Sequence, residues 1–515
     1  MMNFLRKYLG LILVFGAFIV GITTYKGYGV SWDEGDQIHL GTVNYEYLFQ
    51  HKGAVESCDN KEYGVAFELP LAIIQHSLGL TDSRDNLLMR HLVTHLFFLL
   101  GALAFFLLID YLYSNKLLAT LGFLMLLTTP LIYGHSFFNT KDVPFLSMFI
   151  ICFLVAAVAF RKNTIKWYIM LGIAAALLMN MRIMGILFEL CIICFFVFDL
   201  IALRKDKATR KKTLVSALVF IGVSFAFLSL TWPYLYPNPA KNFIDAFLRL
   251  SQWPWNGYVL FWGKTVECKA LPFYYAVSWF CISNPLIYVV LGTFGIVYFI
   301  IQFLKRPGQF FFDKTARNQA LYAFCFLEPL IAVLAFHSAI FDTWRHLYFI
   351  YPSFLLAGIY GLNYLFNTKA RPVALFLVSA AIAYSGFYMV SNYPYEHVYF
   401  NELVTKRTEP EYLRKNFEMD YWGTSYARAF GYILKHDTSK NITVAVQGGM
   451  GIGMQNTWIL PAEDRKRIHL TEDIAQANYF ASYYRQHSED YPFQKKEVFS
   501  IKVLNSTIMS VFKLK

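Results

Sequence analysis

The feature that most restricts this chain is a succession of apolar segments, each long enough to cross a bilayer. A transmembrane helix takes about 20 mostly apolar residues, within a range of roughly 17–25. Segments near 9–25, 91–113, 117–138, 144–160, 166–180, 183–203, 214–235, 285–304, 320–340, 347–366 and 373–391 meet that requirement. Composition agrees. Of 515 residues, 57% are hydrophobic and only 16% charged, whereas soluble domains run nearer 45–50% apolar and about 25% charged. A cytosolic enzyme, a disordered chain and a secreted disulfide scaffold are excluded. The expected fold is a polytopic α-helical membrane protein with about eleven transmembrane helices.

Lys and Arg gather in cytoplasmic loops, and threading the chain with its N-terminus inside gives a clear pattern. The inner side then holds Arg6, Lys7, Lys116, Arg161, Lys162, Lys166, the run Arg204–Lys212, Lys305, Arg306, Lys314, Arg317, Lys369 and Arg371. The three short outer loops hold one basic residue each: Lys141, Arg182 and Arg345. This placement accounts for the net charge of +12 without nucleic acid as a partner; the lipid bilayer is the partner it implies. No small-residue cleavage site follows the first apolar run, so that run reads as a retained anchor.

The expected organisation is a membrane domain over 1–391, with large outer loops at 26–90 and 236–284, and an outer α/β domain over 392–515. In that tail, Ile442–Val446, Tyr479–Tyr484, Val498–Val503 and Ile508–Phe512 carry strand-like runs, Ser425–Leu434 reads as helix, and Asn505-Ser506 suits a turn. No repeat period is visible, and no inverted repeat of the kind found in secondary transporters. Of seven cysteines, Cys58 and Cys268 fall in the two large outer loops, where a disulfide between them is permitted. No Cys/His spacing resembles a metal site.

Polar residues at membrane boundaries carry the chemistry. The first outer loop opens Ser31-Trp-Asp-Glu-Gly-Asp36, and residues 26–90 hold ten acidic residues against five basic. Asp33 could serve as a general base for a hydroxyl nucleophile, while Ser31 and Glu34 also suit a helix capping box. The third span ends in His135-Ser-Phe-Phe-Asn-Thr-Lys-Asp-Val-Pro144. It reads either as a tight turn capped by Asn139 or Thr140, with Lys141 and Asp142 an exposed pair, or as part of a site. Lys141, Arg182 and Arg345 could snorkel singly to headgroups or converge on an anion, for which a lipid phosphate is the obvious candidate. A carboxylate beside such cations would suit group transfer from a lipid-linked phosphate donor. No phosphate-binding GxxxxGK[ST] loop is present.

These residues resemble the polytopic C-type glycosyltransferases, specifically bacterial relatives of the protein O-mannosyltransferases and of aminoarabinose transferase. The resemblance is carried by Trp32-Asp-Glu34, HSFFNTKDVPF (135–145) and TWRHLYFIYPSFLLAG (343–358), with YPYEHVYFNELV (393–404) and FEMDYWGTSYARA (417–429) similar to a tail found in some bacterial members. It implies a polyprenyl-phosphate sugar donor, a glycan, lipid or protein acceptor, and inverting transfer on the periplasmic face of the inner membrane. By position, Asp33 matches the base and Glu34 its acidic neighbour. Lys141 and Asp142 match a motif near donor phosphate and acceptor, and Arg345 with His346 a basic motif before a late span. His135 and Asn139 accompany them as substrate-binding candidates, and Arg182 rests on charge placement alone. Some relatives bind a metal; His39, Glu68 and His346 are conceivable ligands here, though their spacing gives no support, and no cofactor is expected. Two rival readings remain. One is a transporter or flippase of a lipid-linked glycan, relying on in-span acids such as Asp110, Glu189, Asp199 and Glu328. The other is an inactive scaffold relative.

Overall fold

The computed structural model describes residues 2–55, 58–202, 206–251, 255–336 and 340–515. Arg204 and Lys205 of the basic run, residue 203 of the span predicted at 183–203 and residues 337–339 of that predicted at 320–340 fall outside those residues. Among the described residues, eight helices are long and apolar enough to cross a membrane, and a bent pair makes nine. The pair is Lys116–Leu127 and Pro130–Phe138, which meet at 63°. Pro130 supplies no N–H to continue the first helix but is well suited to the opening turn of a second. Thr128 and Thr129 donate their hydroxyls to the Leu124 and Met125 carbonyls beside the break.

The remaining two predicted spans are also helices. Ile165–Met179 has only 15 residues. Arg317–Phe336 contains Pro329. The chain is thus a multi-pass helical membrane protein, as its hydropathy requires. Gly295 permits close helix packing, since a Cβ there would lie 1.8 Å from the Ala357 carbonyl oxygen on the helix Tyr351–Phe366.

Two in-span acids are occupied within the bundle. Ser224 donates to Glu189 at 2.6 Å, and the Cys191 thiol donates to Glu328 at 3.0 Å. A third, Asp199, is bonded by Arg317.

Seven strands are present among the described residues. β1 (Tyr258–Phe261) and β2 (Lys264–Glu267) form an antiparallel hairpin. The C-terminal sheet contains β3 (Ile442–Val446), β4 (Ile468–Thr471), β5 (Tyr479–Ser482), β6 (Glu497–Val503) and β7 (Ser506–Lys513), in the order β4-β3-β5-β7-β6. β3 runs parallel to both neighbours, whereas β5–β7 and β6–β7 are antiparallel. The β6–β7 turn uses Leu504 and Asn505, both at positive φ (51° and 62°), one residue earlier than predicted. Paired left-handed residues match the twist of a two-residue hairpin.

The sheet packs a core of its own with the helix Tyr426–His436, while Tyr395, Phe400, Phe417 and Trp422 join the core of the helical bundle. The chain therefore enters the tail still packed against the bundle, and later parts of the tail, Ile459, Val503 and Ile508 among them, return to pack with the membrane domain.

The suggested Cys58–Cys268 disulfide is not formed. Both cysteines are buried free thiols. Cys58 packs with Leu40, Val55 and Trp232, and Cys268 joins a different cluster with Tyr275 and Trp279. Apolar packing places them in separate cores.

Candidate active site

Five segments distant in sequence meet at one end of the bundle: the stretch 28–36, the turn 138–142, the turn after Met179, the loop 340–346 and the tail. Asp33 stands at the start of the helix Glu34–Tyr45 but makes no side-chain capping bond. Its Oδ2 instead accepts from Arg345 Nη1 at 3.0 Å and lies 3.7 Å from Lys141 Nζ. The Asp33 side chain keeps 28% of its surface exposed, against 5% for Arg345. Burial alone would raise the Asp33 pKa. Lys141 and Arg345 outweigh it and hold the carboxyl below its ordinary range.

The charges alternate. Arg345 Nη1 also lies 3.7 Å from Asp142, and its Nη2 3.5 Å from Asp342. Asp142 binds Arg182 on its other oxygen, and Asp342 accepts from Arg485 of the tail at 2.7 Å. Lys141, Arg182, Arg345 and Arg485 thus face Asp33, Asp142 and Asp342, leaving one positive charge in excess within this group. Trp422 stacks on the Arg345 guanidinium, 4.6 Å from its ring centre. Asp342 and Thr343 both take positive φ (54° and 68°). For non-glycine residues that costs roughly 1–3 kcal/mol each and persists only where surrounding contacts impose it. Here Tyr275 OH accepts from the Thr343 N–H at 3.2 Å, and Ser283 Oγ accepts from the Trp344 indole N–H at 2.8 Å. The left-handed pair turns the chain so that Asp342 and Arg345 face each other.

A cavity of about 340 Å³ opens on this cluster. Asp33, Lys141, Arg182, Arg345 and His346 line its polar part. Asp36, Gln37, Asn60 and Ser251 add further polar lining, while Ile183, Met184, Leu187, Phe247, Leu250, Ala332 and Val333 supply an apolar wall. Polar residues and a hydrocarbon-like wall share one space, which suits an amphiphile with an anionic head.

The other candidates are placed differently. Glu34 turns away from the cavity, is buried, and pairs with His91 at 2.9 Å. Its second oxygen accepts from the Ser31 N–H at 2.7 Å, which is the backward half of a capping box. Ser31 Oγ donates to the Phe138 carbonyl instead, so the forward half is absent. Asp142 is 1% exposed and fully engaged with cations. Asn139 caps the helix Asp142–Lys162 by accepting from the Asp142 N–H at 2.8 Å, and donates to the Asp142 carboxylate at 3.0 Å. His135 is buried behind them and accepts from the Trp422 indole at 3.1 Å. Neither His135 nor Asn139 lines the cavity. Of the conceivable metal ligands, Glu68 is bonded by Arg90, away from His346. No group of three His, Cys, Asp or Glu among the described residues is arranged to hold a metal ion.

Asp342, Arg485 and Trp422 complete the cluster without having been named as site residues from sequence. Asp342 precedes Arg345 by three positions and directly adjoins the segment 343–358 already singled out, so proximity was a usable signal. Nothing local links Arg485 to a loop 143 residues earlier.

A family described as dolichyl-phosphate-mannose-protein mannosyltransferase matches residues 71–228. That stretch contains Lys141, Asp142 and Arg182; Asp33 and Arg345 lie outside it. No curated protein matches the chain at a significant level. Among solved structures, the apo oligosaccharyltransferase of Archaeoglobus fulgidus aligns with a TM-score of 0.52 and 13% identity, over 92% of this chain and 65% of that one. The chain therefore spans just under two thirds of that protein. ArnT from Cupriavidus metallidurans in the apo state aligns with a TM-score of 0.48 and 11% identity, over 99% and 98% of the two chains. The resemblance to C-type glycosyltransferases thus rests on a family match over part of the chain and on a fold shared with an oligosaccharyltransferase over most of it.

Proposed function

We propose that this protein is a glycosyltransferase that moves a sugar from a polyprenyl-phosphate donor to a hydroxyl of an envelope acceptor, with inversion. It works on the extracytoplasmic face of the inner membrane, with the N-terminus inside and the tail from 392 to 515 outside. The observation that carries the reading is the shared cavity, in which an ionised carboxylate and several cations face an apolar wall. The family description over 71–228 supports a polyprenyl-linked donor.

In this reading the acceptor oxygen attacks the anomeric carbon and gives its proton to Asp33. The bond from that carbon to the phosphate oxygen breaks, and polyprenyl phosphate leaves with the electron pair. A phosphate monoester anion is a good leaving group and needs its charge stabilised more than it needs a proton. Fixed cations supply that stabilisation without reorganising. Arg182 and Lys141 hold the phosphate, Arg345 spans base and leaving group, and Asp142 fixes the two guanidiniums. The apolar wall holds the first isoprene units.

The direct test mixes the purified chain, in phosphatidylethanolamine and phosphatidylglycerol vesicles, with a panel of labelled polyprenyl-phosphate sugars. Release of polyprenyl phosphate from one member is expected, and inertness toward all of them would reject the reading. With the active donor, Arg182→Ala should raise donor KM about tenfold, the loss of roughly one charge-assisted hydrogen bond. An unchanged KM would remove Arg182 from the phosphate site.

The pH dependence has a definite sign. Cations that stabilise the ionised carboxylate lower its pKa, so the base stays competent as the pH falls to the ordinary carboxylate value of about 4. Turnover on donor should show no acid limb above that value. Lys141→Met removes one of those cations, raises the Asp33 pKa and moves the limb upward. A limb already near pH 6 in the parent protein would show that some other group is the base.

A further inference from the structure

We propose that Gln455 and Asn456 of the tail are positioning residues for the Asp33 carboxylate. The inference rests on the reading of Asp33 as the base. Between Gly27 and the helix Glu34–Tyr45 the chain has no regular structure, so its backbone groups must find partners elsewhere.

The tail helix Met450–Trp458 provides them. The Asn456 side-chain amide binds Val30 as a neighbouring strand would, accepting from its N–H at 3.0 Å and donating to its carbonyl at 2.9 Å. Asn456 is itself fully buried and also donates to the Gly423 carbonyl at 3.2 Å. The Gln455 amide brackets Asp33, donating to the Trp32 carbonyl at 3.2 Å and accepting from the Gly35 N–H at 3.3 Å. Trp32 adds a hydrogen bond from its indole to Tyr483 at 3.4 Å. The fit is close: a Cβ on Gly29 would lie 2.0 Å from the Thr424 carbonyl oxygen.

The bond to Gly35 has a chemical consequence. Gly35 lies in the first turn of its helix, where N–H groups have no partner within the helix. An aspartate at the helix start ordinarily satisfies such a donor with its own carboxylate. Gln455 takes that task from another part of the chain. Asp33 is thereby released from capping and points at Arg345 and Lys141. Without Gln455, the exposed N–H competes with the two cations for the same carboxylate. The outer tail is in this way a working part of the active site.

The test uses the full chain in the vesicles described above. Gln455→Met has nearly the same shape but neither donates nor accepts a hydrogen bond, whereas Gln455→Glu keeps an acceptor for the Gly35 N–H. Amide exchange over 29–37 should accelerate at least tenfold in Gln455→Met. Turnover of the active polyprenyl-phosphate sugar should fall about tenfold with donor KM within twofold of the parent, and Gln455→Glu should lie between the two. Unchanged exchange, an equal rise in KM, or a Glu variant no better than Met would overturn the positioning role. Asn456→Ala should show the same accelerated exchange, and failure to do so counts against the bracket. Failure of the underlying reading appears separately, as full turnover in Asp33→Asn or as inertness of the parent toward the whole panel.

Discussion

Asp33→Asn is expected to lower sugar transfer by about 10³-fold, within the range general bases ordinarily contribute, while leaving the fold and donor binding intact. Asparagine has nearly the same shape. Its amide oxygen can still accept from Arg345 Nη1, which now reaches Asp33 at 3.0 Å, but it cannot take a proton from an attacking hydroxyl. The substitution also removes a negative charge flanked by Lys141 and Arg345. Those cations then have a weaker competitor for a phosphate, so undecaprenyl phosphate should bind at least as tightly as in the parent. Loss of turnover with binding retained distinguishes a missing base from a collapsed site. Full turnover in this variant would remove Asp33 as base, and lost binding would make it a structural residue.

Arg345→Met should be the most damaging single change to stability. The guanidinium is 5% exposed and lies among Asp33, Asp142 and Asp342. Deleting one partner of a buried charge network typically costs about 3–5 kcal/mol, because the opposite charges remain buried without compensation. Asp342 keeps Arg485, Asp142 keeps Arg182 and Asp33 keeps Lys141, so the loss falls on the shared centre of the network and on the geometry of the loop. Lysine is a poor replacement, since a single ammonium cannot span three carboxylates while stacking on Trp422. Adding Asp342→Asn to Arg345→Met should lower the midpoint further, because it also takes the carboxylate from the largely buried Arg485. Thermal unfolding in detergent is the measurement, and a midpoint in Arg345→Met equal to the parent's would refute the account.

The membrane helices were legible because the hydrocarbon core imposes one length and one polarity on every segment that crosses it. Each apolar run near 9–391 has a helix as its counterpart. The bend at Thr128–Thr129 was not read, although Pro130 signals it. In the tail, Ile442–Val446 is β3 without adjustment. By contrast, β4 is only four residues, Ile-His-Leu-Thr, and its pairing with β3 supplies what its own pattern lacks.

The site divides in the same way. Lys141, Arg182 and Arg345 were visible as cations where cations are costly. Whether a polar residue at a helix end faces a cleft or its own helix is set by packing several elements away. Asn139 and His135 therefore looked like Lys141 in sequence but are buried behind it. Arg485 was invisible for a similar reason, since a pair spanning 143 residues leaves no local pattern.

The short helix Ile165–Met179 has a consequence for the lipid around it. Fifteen residues rise only about 22 Å, against a hydrocarbon thickness of about 30 Å. Such hydrophobic mismatch is relieved by local thinning of the leaflets at a modest cost per ångström. The end of this helix nearest Arg182 packs inside the bundle, with Ala174, Ala175, Ala176, Leu178 and Met179 buried, whereas Ile169 and Met170 near its start are exposed and meet the lipid. Thinning is therefore expected on the Ile169 and Met170 side, and its depth follows the acyl-chain length of the surrounding membrane.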